Sequence, residues 1–332
     1  MEFLDFTKYP QNEKAYGGTA GRKIGITMDG QDYLLKYPGN LKIRQMKNIV
    51  LSYSNSPVCE YIGSHIYKMA GIPVHETILG TRDGKNVVAC KDFLNRGDTL
   101  QSFADIKVST SMEFVDSGGN ETDGLGTDLQ ECLSNIRENP LLHKLKYEAE
   151  DRFWDMFVVD ALIGNLDRNN LNWGVIYRYD GIRELAPVYD NGNCLNCKWD
   201  DAKMKEILSS EKSTETEAFT ARRCIFEENG KAINPYKYIR SMETEGCSQA
   251  LLRIFPKLDM DRIAAMIEEI PVISDTEKQF YKTIISTRLE AVLRPVYQIV
   301  NGRTFEEKMD AYSRLAEERK STAGSGLDEF SH

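Results

Sequence analysis

No run of about 18 consecutive apolar residues occurs anywhere in the 332-residue chain, so no membrane-crossing helix is expected. The N-terminal stretch "MEFLDFTKYPQNEKAYGG" lacks the basic start and apolar centre of a conventional signal peptide. Positive charge is in deficit: the formal net charge is −9, which argues against a general nucleic-acid binder with a broad basic face. Cysteines number seven, an odd and scattered set (59, 90, 132, 194, 197, 224, 247), which suits reduced thiols in a cytoplasm rather than a disulfide framework. The lone C-x-x-C at Cys194 and Cys197 has no second pair or nearby His to complete a zinc site, so it reads as two thiols in a loop. No internal repeat is visible. What remains is a globular composition, 41% hydrophobic and 28% charged, long enough for two lobes with sizeable cores.

The first 92 residues read as β-rich with one helix. Ile24, Ile26 and Met28 alternate toward an Asp29-Gly30 turn, and Tyr33 and Leu35 resume the alternation up to Lys36. Lys36 therefore sits beside a core. Ser56 caps a helix with Pro57 at its first position, Val58, Ile62, Ile66 and Met69 on one face, and Gly71 at its end. "HETILGTRDGKNVVACKDF" gives two more strands around Asp83-Gly84. The stretch "SGGNETDGLG" (117–126) reads as a flexible loop between helices. "DRFWDMFVVDALIG" is apolar almost all round, as expected of a helix inside a domain. Residues 248–301 suggest two or three amphipathic helices, and the end, "STAGSGLDEFSH", a frayed tail. The fold class is thus α+β with two lobes: 1–92, a mainly helical 93–302, and a C-terminal helix or tail over 303–332.

The chemistry concentrates in "LIGNLDRNNLNWG" and "NWGVIYRYDGIRELAPVYDNG". The second is a short hairpin turning at Asp180-Gly181, so its ends, Asn172 and Asp190, become neighbours, with Asp167 just before it. Two carboxylates and a carboxamide converging at a sheet end make an all-oxygen site suited to Mg²⁺ with substrate phosphates. An Asp that orients a nucleophilic hydroxyl, an Asn five residues on that holds metal, and a later Asp in D-x-G that holds metal form the constellation of protein kinases. Phosphoryl transfer needs this set because its catalysis is largely positioning and charge neutralisation. Upstream, Lys36 can reach the α/β-phosphates of ATP and Glu60 can hold it by an ion pair. Gly17, Gly18 and Gly21 precede the strand in a loop whose N–H groups could cover phosphates, followed by the cations Arg22 and Lys23. "VVACKDF", with Cys90 and Asp92, is the connector expected to meet the adenine edge. Each feature alone has a plain structural reading: a surface lysine, a first-turn helix charge, a turn Asp, a self-capped polar loop. Their conjunction in kinase order favours a phosphotransferase.

At "GNLDRNNLNWG" and "PVYDNG" the chain resembles the HipA-like Ser/Thr kinases, a bacterial family related to the phosphoinositide-kinase-like group. The likeness extends from "YGGTAGRKIGI" through "YLLKYP", "CEYIGSHIYKMAGIPVHETILG" and "VVACKDF" to "LLRIFPKLDM", and is closest to the short stand-alone CtkA-type members. The resemblance implies a two-lobed kinase fold, ATP and Mg²⁺, and transfer to Ser or Thr of a protein substrate. It makes Asp167 the catalytic base, Asn172 and Asp190 the metal ligands, Lys36 the phosphate contact and Glu60 its helix partner. It also implies autophosphorylation of a hydroxyl in the glycine loop, for which Thr19 is the candidate, and a toxin role with an antitoxin partner. One departure stands out: Asn169 follows Asp-Arg where the family usually has His, which implies tuned activity. No direct nucleic-acid or membrane contact is expected. The alternatives are a small-molecule or lipid kinase, since phosphoinositide kinases share these signals, and a non-catalytic nucleotide-binding module.

Overall fold

The computed structural model describes residues 1–16, 22–41, 54–110 and 124–324. Gly17, Gly18, Thr19 and Gly21, and most of the 117–126 stretch, lie outside the described residues. Two hairpins build the first sheet. β2 (Lys23–Met28) and β3 (Gln31–Lys36) join through Asp29 and Gly30, and β4 (Thr77–Arg82) and β5 (Lys85–Lys91) through Asp83 and Gly84. All four turn residues have φ between 50° and 78°, the left-handed pair that a two-residue hairpin turn requires. The sheet order is β1-β4-β5-β3-β2, where β1 (Phe3–Asp5) is a short parallel edge strand on β4 that hydrophobic alternation does not signal.

Strand alternation decides where Lys36 points. Leu35, Ala89, Val87, Ile24 and Ile26 turn to one face and form a small cluster with Phe6. Lys36, in register with Val88 and with Lys23, turns to the other face, which is covered by α1 (Ser56–Met69). The helix differs from expectation at its start: Asn55 is the cap position, Ser56 is already helical, and the Asn55 amide bonds Glu277 and Tyr281 instead of capping. Val58, Ile62 and Ile66 are fully buried, and the cluster they belong to runs on through Phe103, Phe153 and Trp173 into the helical part. α1 is therefore shared between the first sheet and the rest of the molecule.

β6 (Thr99–Ser102), α2 (Phe103–Thr110) and α3 (Leu129–Glu138) lead to α4 (Lys146–Ile163), which is buried along most of its length. Gly164, at φ 70°, ends α4 and releases the chain into the 165–173 loop. β7 (Gly174–Tyr177) and β8 (Arg183–Leu185) form the expected hairpin, with β6 as an unforeseen third strand. Further on, helices occupy Glu245–Ile254, Met260–Glu268 and Asp275–Arg288, the last passing through a π-helical turn, Leu289–Leu293, into Arg294–Asn301. These are three continuous helical stretches, the upper number expected over 248–301. The end is helical too, over Phe305–Gly324, so the "STAG" of the expected frayed tail belongs to a helix. Among the described residues no helix is long and apolar enough to cross a membrane.

Candidate active site

Three chain segments far apart in sequence meet at the end of β3. Lys36 Nζ donates to Glu60 Oε2 at 2.7 Å and to Asp190 Oδ1 at 2.9 Å. Glu60 is buried on α1, and its other oxygen, Oε1, lies 2.9 Å from His75 Nε2 and accepts the backbone N–H of Asn191 at 2.9 Å. Burial alone would raise the Glu60 carboxyl, but Lys36 and His75 outweigh it and hold the group well below the usual carboxylate range. Burial likewise works against the Lys36 ammonium, and Asp190 and Glu60 together keep it above its ordinary value. The Lys36 charge holds Asp190 below its ordinary value. All three groups are thus charged at neutral pH.

Two close approaches make this possible. A Cβ on Gly63 would lie 3.0 Å from Asn191 Cβ, and one on Gly192 would lie 3.0 Å from both Glu60 Oε2 and Ser56 O. Glycine at these positions lets α1 and the Asp190-Asn191-Gly192 segment touch. Asp190 itself has φ 61°, an unusual conformation for a non-glycine residue and one that recurs at functional sites.

Asp167 and Asn172 are held from beneath by Arg168, which is 2% exposed. Its Nε and Nη2 clamp the buried Asp160 of α4 at 2.8 and 3.0 Å. Nη1 donates to Asn172 O at 3.1 Å and Tyr189 O at 2.6 Å, and Nη2 also donates to Asn191 Oδ1 at 2.6 Å. All five guanidinium N–H groups find acceptors, so one side chain fixes the Asp167–Asn172 loop against the segment carrying Asp190. Asn172 Nδ2 donates to Asp167 O at 3.3 Å, and Asn193 Nδ2 to Asp167 Oδ2 at 3.3 Å. Asp167 is exposed yet flanked by protein. This partial desolvation raises its carboxyl above the ordinary value, while Lys198, Asn169 and Asn193 pull it down.

Asp167, Asn172 and Asp190 offer only oxygen ligands, and Asp190 keeps a partly exposed carboxylate, the donor set a hard divalent cation such as Mg²⁺ takes. Lys23, on the same sheet face as Lys36, starts β2 directly after the glycine segment. Cys90 is buried with its sulfur within 4.8 Å of the Glu60 and His75 ligand atoms, and its strand is hydrogen-bonded on both sides. The Asp92 carboxylate is engaged by Tyr16 at 2.8 Å, by Lys14 at 2.6 Å and by the Leu94 N–H at 2.8 Å. It thereby ties the segment leading into the glycine stretch to the end of β5.

Sequence reasoning passed over His75, Asn191 and the role of Arg168. The first had no local signal, being one of four histidines in an ordinary strand approach. The other two stood inside the quoted motifs, and a buried arginine directly after the Asp was the available clue.

No family model matches the chain. A serine/threonine-protein kinase of Helicobacter pylori, CtkA, is 33% identical over 297 residues, covering 88% of this chain and 87% of that protein. The chain belongs to the CtkA-type, HipA-like serine/threonine kinases. The crystal structure of the H. pylori proinflammatory kinase CtkA superposes with a TM-score of 0.81 at 32% identity, covering 90% of this chain and 97% of that one. A HipA from a Shewanella oneidensis MR-1 complex of HipA, HipB and operator DNA shares the fold, with a TM-score of 0.53 at 14% identity over 88% of this chain and 69% of that one. As a CtkA-type kinase the chain is a transferase, and its α+β architecture is that of these kinase-like folds.

Proposed function

We propose that this kinase transfers the γ-phosphoryl group of ATP, with Mg²⁺, to a serine or threonine hydroxyl of a protein, and that Asp167, Asn172, Asp190, Lys36 and Glu60 carry the reaction. The observation that carries the reading is the Lys36 ammonium shared between Glu60 and Asp190, next to a loop that presents Asp167 and Asn172. Asp190 and Asn172 would hold the metal, which supplies charge neutralisation on the phosphates when bound. Lys36, kept charged by Glu60, contacts the non-transferred phosphates. Asp167 accepts the hydroxyl proton as the acceptor oxygen bonds to the γ-phosphorus and the β–γ bridging bond breaks toward ADP. Arg168 keeps base and metal ligands in register. Residues 1–92 then form the nucleotide-covering lobe, with Gly17, Gly18, Gly21 and Lys23 over the phosphates and the Cys90–Asp92 connector at the adenine. Residues 93–302 form the lobe bearing the base, and 303–332 its C-terminal helix or tail.

Thr19 is the autophosphorylation site on this reading, the cytoplasm the place of action, and an antitoxin-like protein a partner. The metal assignment is tested by titrating a non-hydrolysable ATP analogue with and without Mg²⁺. Asp190→Asn should lose most of the Mg²⁺-dependent gain in affinity, while Asp167→Asn keeps it. Equal Mg²⁺ dependence in wild type and Asp190→Asn would remove Asp190 from the metal site.

A further inference from the structure

The C-x-x-C stretch, an ordinary pair of thiols by sequence, is a shaped turn in the structure. Cys197 N–H donates to Cys194 O at 3.2 Å, and the two residues between, Leu195 and Asn196, have φ of 50° and 57°. Positive φ at both central positions is the mark of a type I′ turn. Leu195 is fully buried in this conformation, which a non-glycine residue adopts only when its surroundings impose it. Those surroundings are visible: Leu195 N–H donates to Ile163 O at 3.0 Å, Asn55 N–H to Cys197 O at 2.6 Å, and Asn196 Nδ2 to Glu217 Oε1 at 2.6 Å. The turn is therefore pinned to the end of α4 and the start of α1, the two helices that carry the Asp167 loop and Glu60.

Both thiols take part. Cys194 Sγ donates to Cys59 O at 3.3 Å, and Cys197 Sγ to Asn193 Oδ1 at 3.9 Å. Burial raises the Cys197 thiol, so it keeps the proton it donates. With Oδ1 engaged from below, the Asn193 amide directs Nδ2 to Asp167 Oδ2 at 3.3 Å.

We propose that Asn193, presented by the thiol-anchored Cys194–Cys197 turn, is a positioning residue for phosphoryl transfer: its amide fixes the Asp167 carboxylate for the acceptor hydroxyl. The proposal rests on Asp167 being the base. A carboxylate held in one orientation meets the acceptor hydroxyl without first having to be ordered. Cys197 acts one step further back, through Asn193.

The test uses the full chain and two readouts: initial-rate kinetics that separate kcat from KM for ATP, and thermal unfolding. In Asn193→Ala kcat should fall about tenfold, while KM for ATP and the thermal midpoint stay near wild type. Cys197→Ala should reproduce that loss of kcat in part, and Cys197→Ser, which keeps a donor, should recover it. An unchanged kcat in Asn193→Ala beside an inactive Asp167→Asn would overturn the proposal and leave the base assignment standing. Full activity in Asp167→Asn would overturn the base assignment, and the proposal with it.

Discussion

Arg168→Met is the perturbation from which the geometry predicts most. The wild-type side chain is 2% exposed and its partner Asp160 5% exposed, so the change strands a carboxylate in the interior. Breaking a buried pair on one side costs about 3–5 kcal/mol, because the remaining charge has lost its counter-ion. Asp160 keeps two hydrogen bonds, from Tyr67 Oη at 2.7 Å and Asn165 Nδ2 at 3.1 Å, which places the expected loss near the lower end of that range. With a urea slope of about 3 kcal/mol/M, the unfolding midpoint should fall by about 1 M. Activity should fall further than stability accounts for. The bonds from Arg168 to Asn172 O, Tyr189 O and Asn191 Oδ1 hold Asp167, the proposed base, in register with Asn172 and Asp190, the proposed metal ligands, and a displacement of about 1 Å in such a site costs about a hundredfold in rate. The double variant Asp160→Asn/Arg168→Met separates the two effects. Removing the stranded charge should return at least half of the lost midpoint, while phosphate transfer stays low because the three register bonds are still missing. The reasoning is refuted if the single variant unfolds within about 1 kcal/mol of wild type. It is equally refuted if the double variant regains stability and activity together.

Other outcomes follow from the same contacts. Gly192→Ala puts a Cβ 3.0 Å from Glu60 Oε2, so it should push Glu60 off Lys36 and raise KM for ATP in a protein that still folds, measured by initial rates and circular dichroism. Glu60 and Asp190 are both held below their ordinary values of 4.5 and 3.8, so their stabilisation is present above that range and lost as pH falls through their lower folded-state values. The stability gap between wild type and Lys36→Met should therefore be widest near neutral pH and close below about pH 4, read by denaturant unfolding across pH. Glu60→Gln should lower ATP affinity, because the carboxylate that keeps Lys36 charged is gone; binding by calorimetry checks this.

The parts of the fold that were legible are those with strong local signals. The β2–β3 and β4–β5 hairpins combine period-two alternation with Asp-Gly turns, and α4 is apolar on every side. Lys36 was placed beside the core because its strand alternates, and the Asp167, Asn172 and Asp190 set because a hairpin must bring its ends together. What was hidden depends on partners distant in sequence. His75 matters through Glu60, Arg168 through Asp160 and Asn191, and Asp92 through Tyr16 and Lys14, and none of these pairings leaves a periodic trace. β1 is three residues long, too short for alternation to show. The left-handed Leu195-Asn196 turn was invisible because leucine disfavours that conformation and only its buried surroundings enforce it. The helix Phe305–Gly324 was read as partly frayed because its last turns hold Ser, Thr and Gly, weak helix formers on intrinsic propensity.

The central claim is that Asp167 is the base of a protein-hydroxyl kinase, and an intact-mass time course of the purified full chain with Mg-ATP tests it most directly, wild type beside Asp167→Asn. The account predicts stepwise gain of phosphate in the wild type, with label at Thr19, and none in Asp167→Asn at equal ATP occupancy. Phosphate gain at the same rate in Asp167→Asn would contradict it.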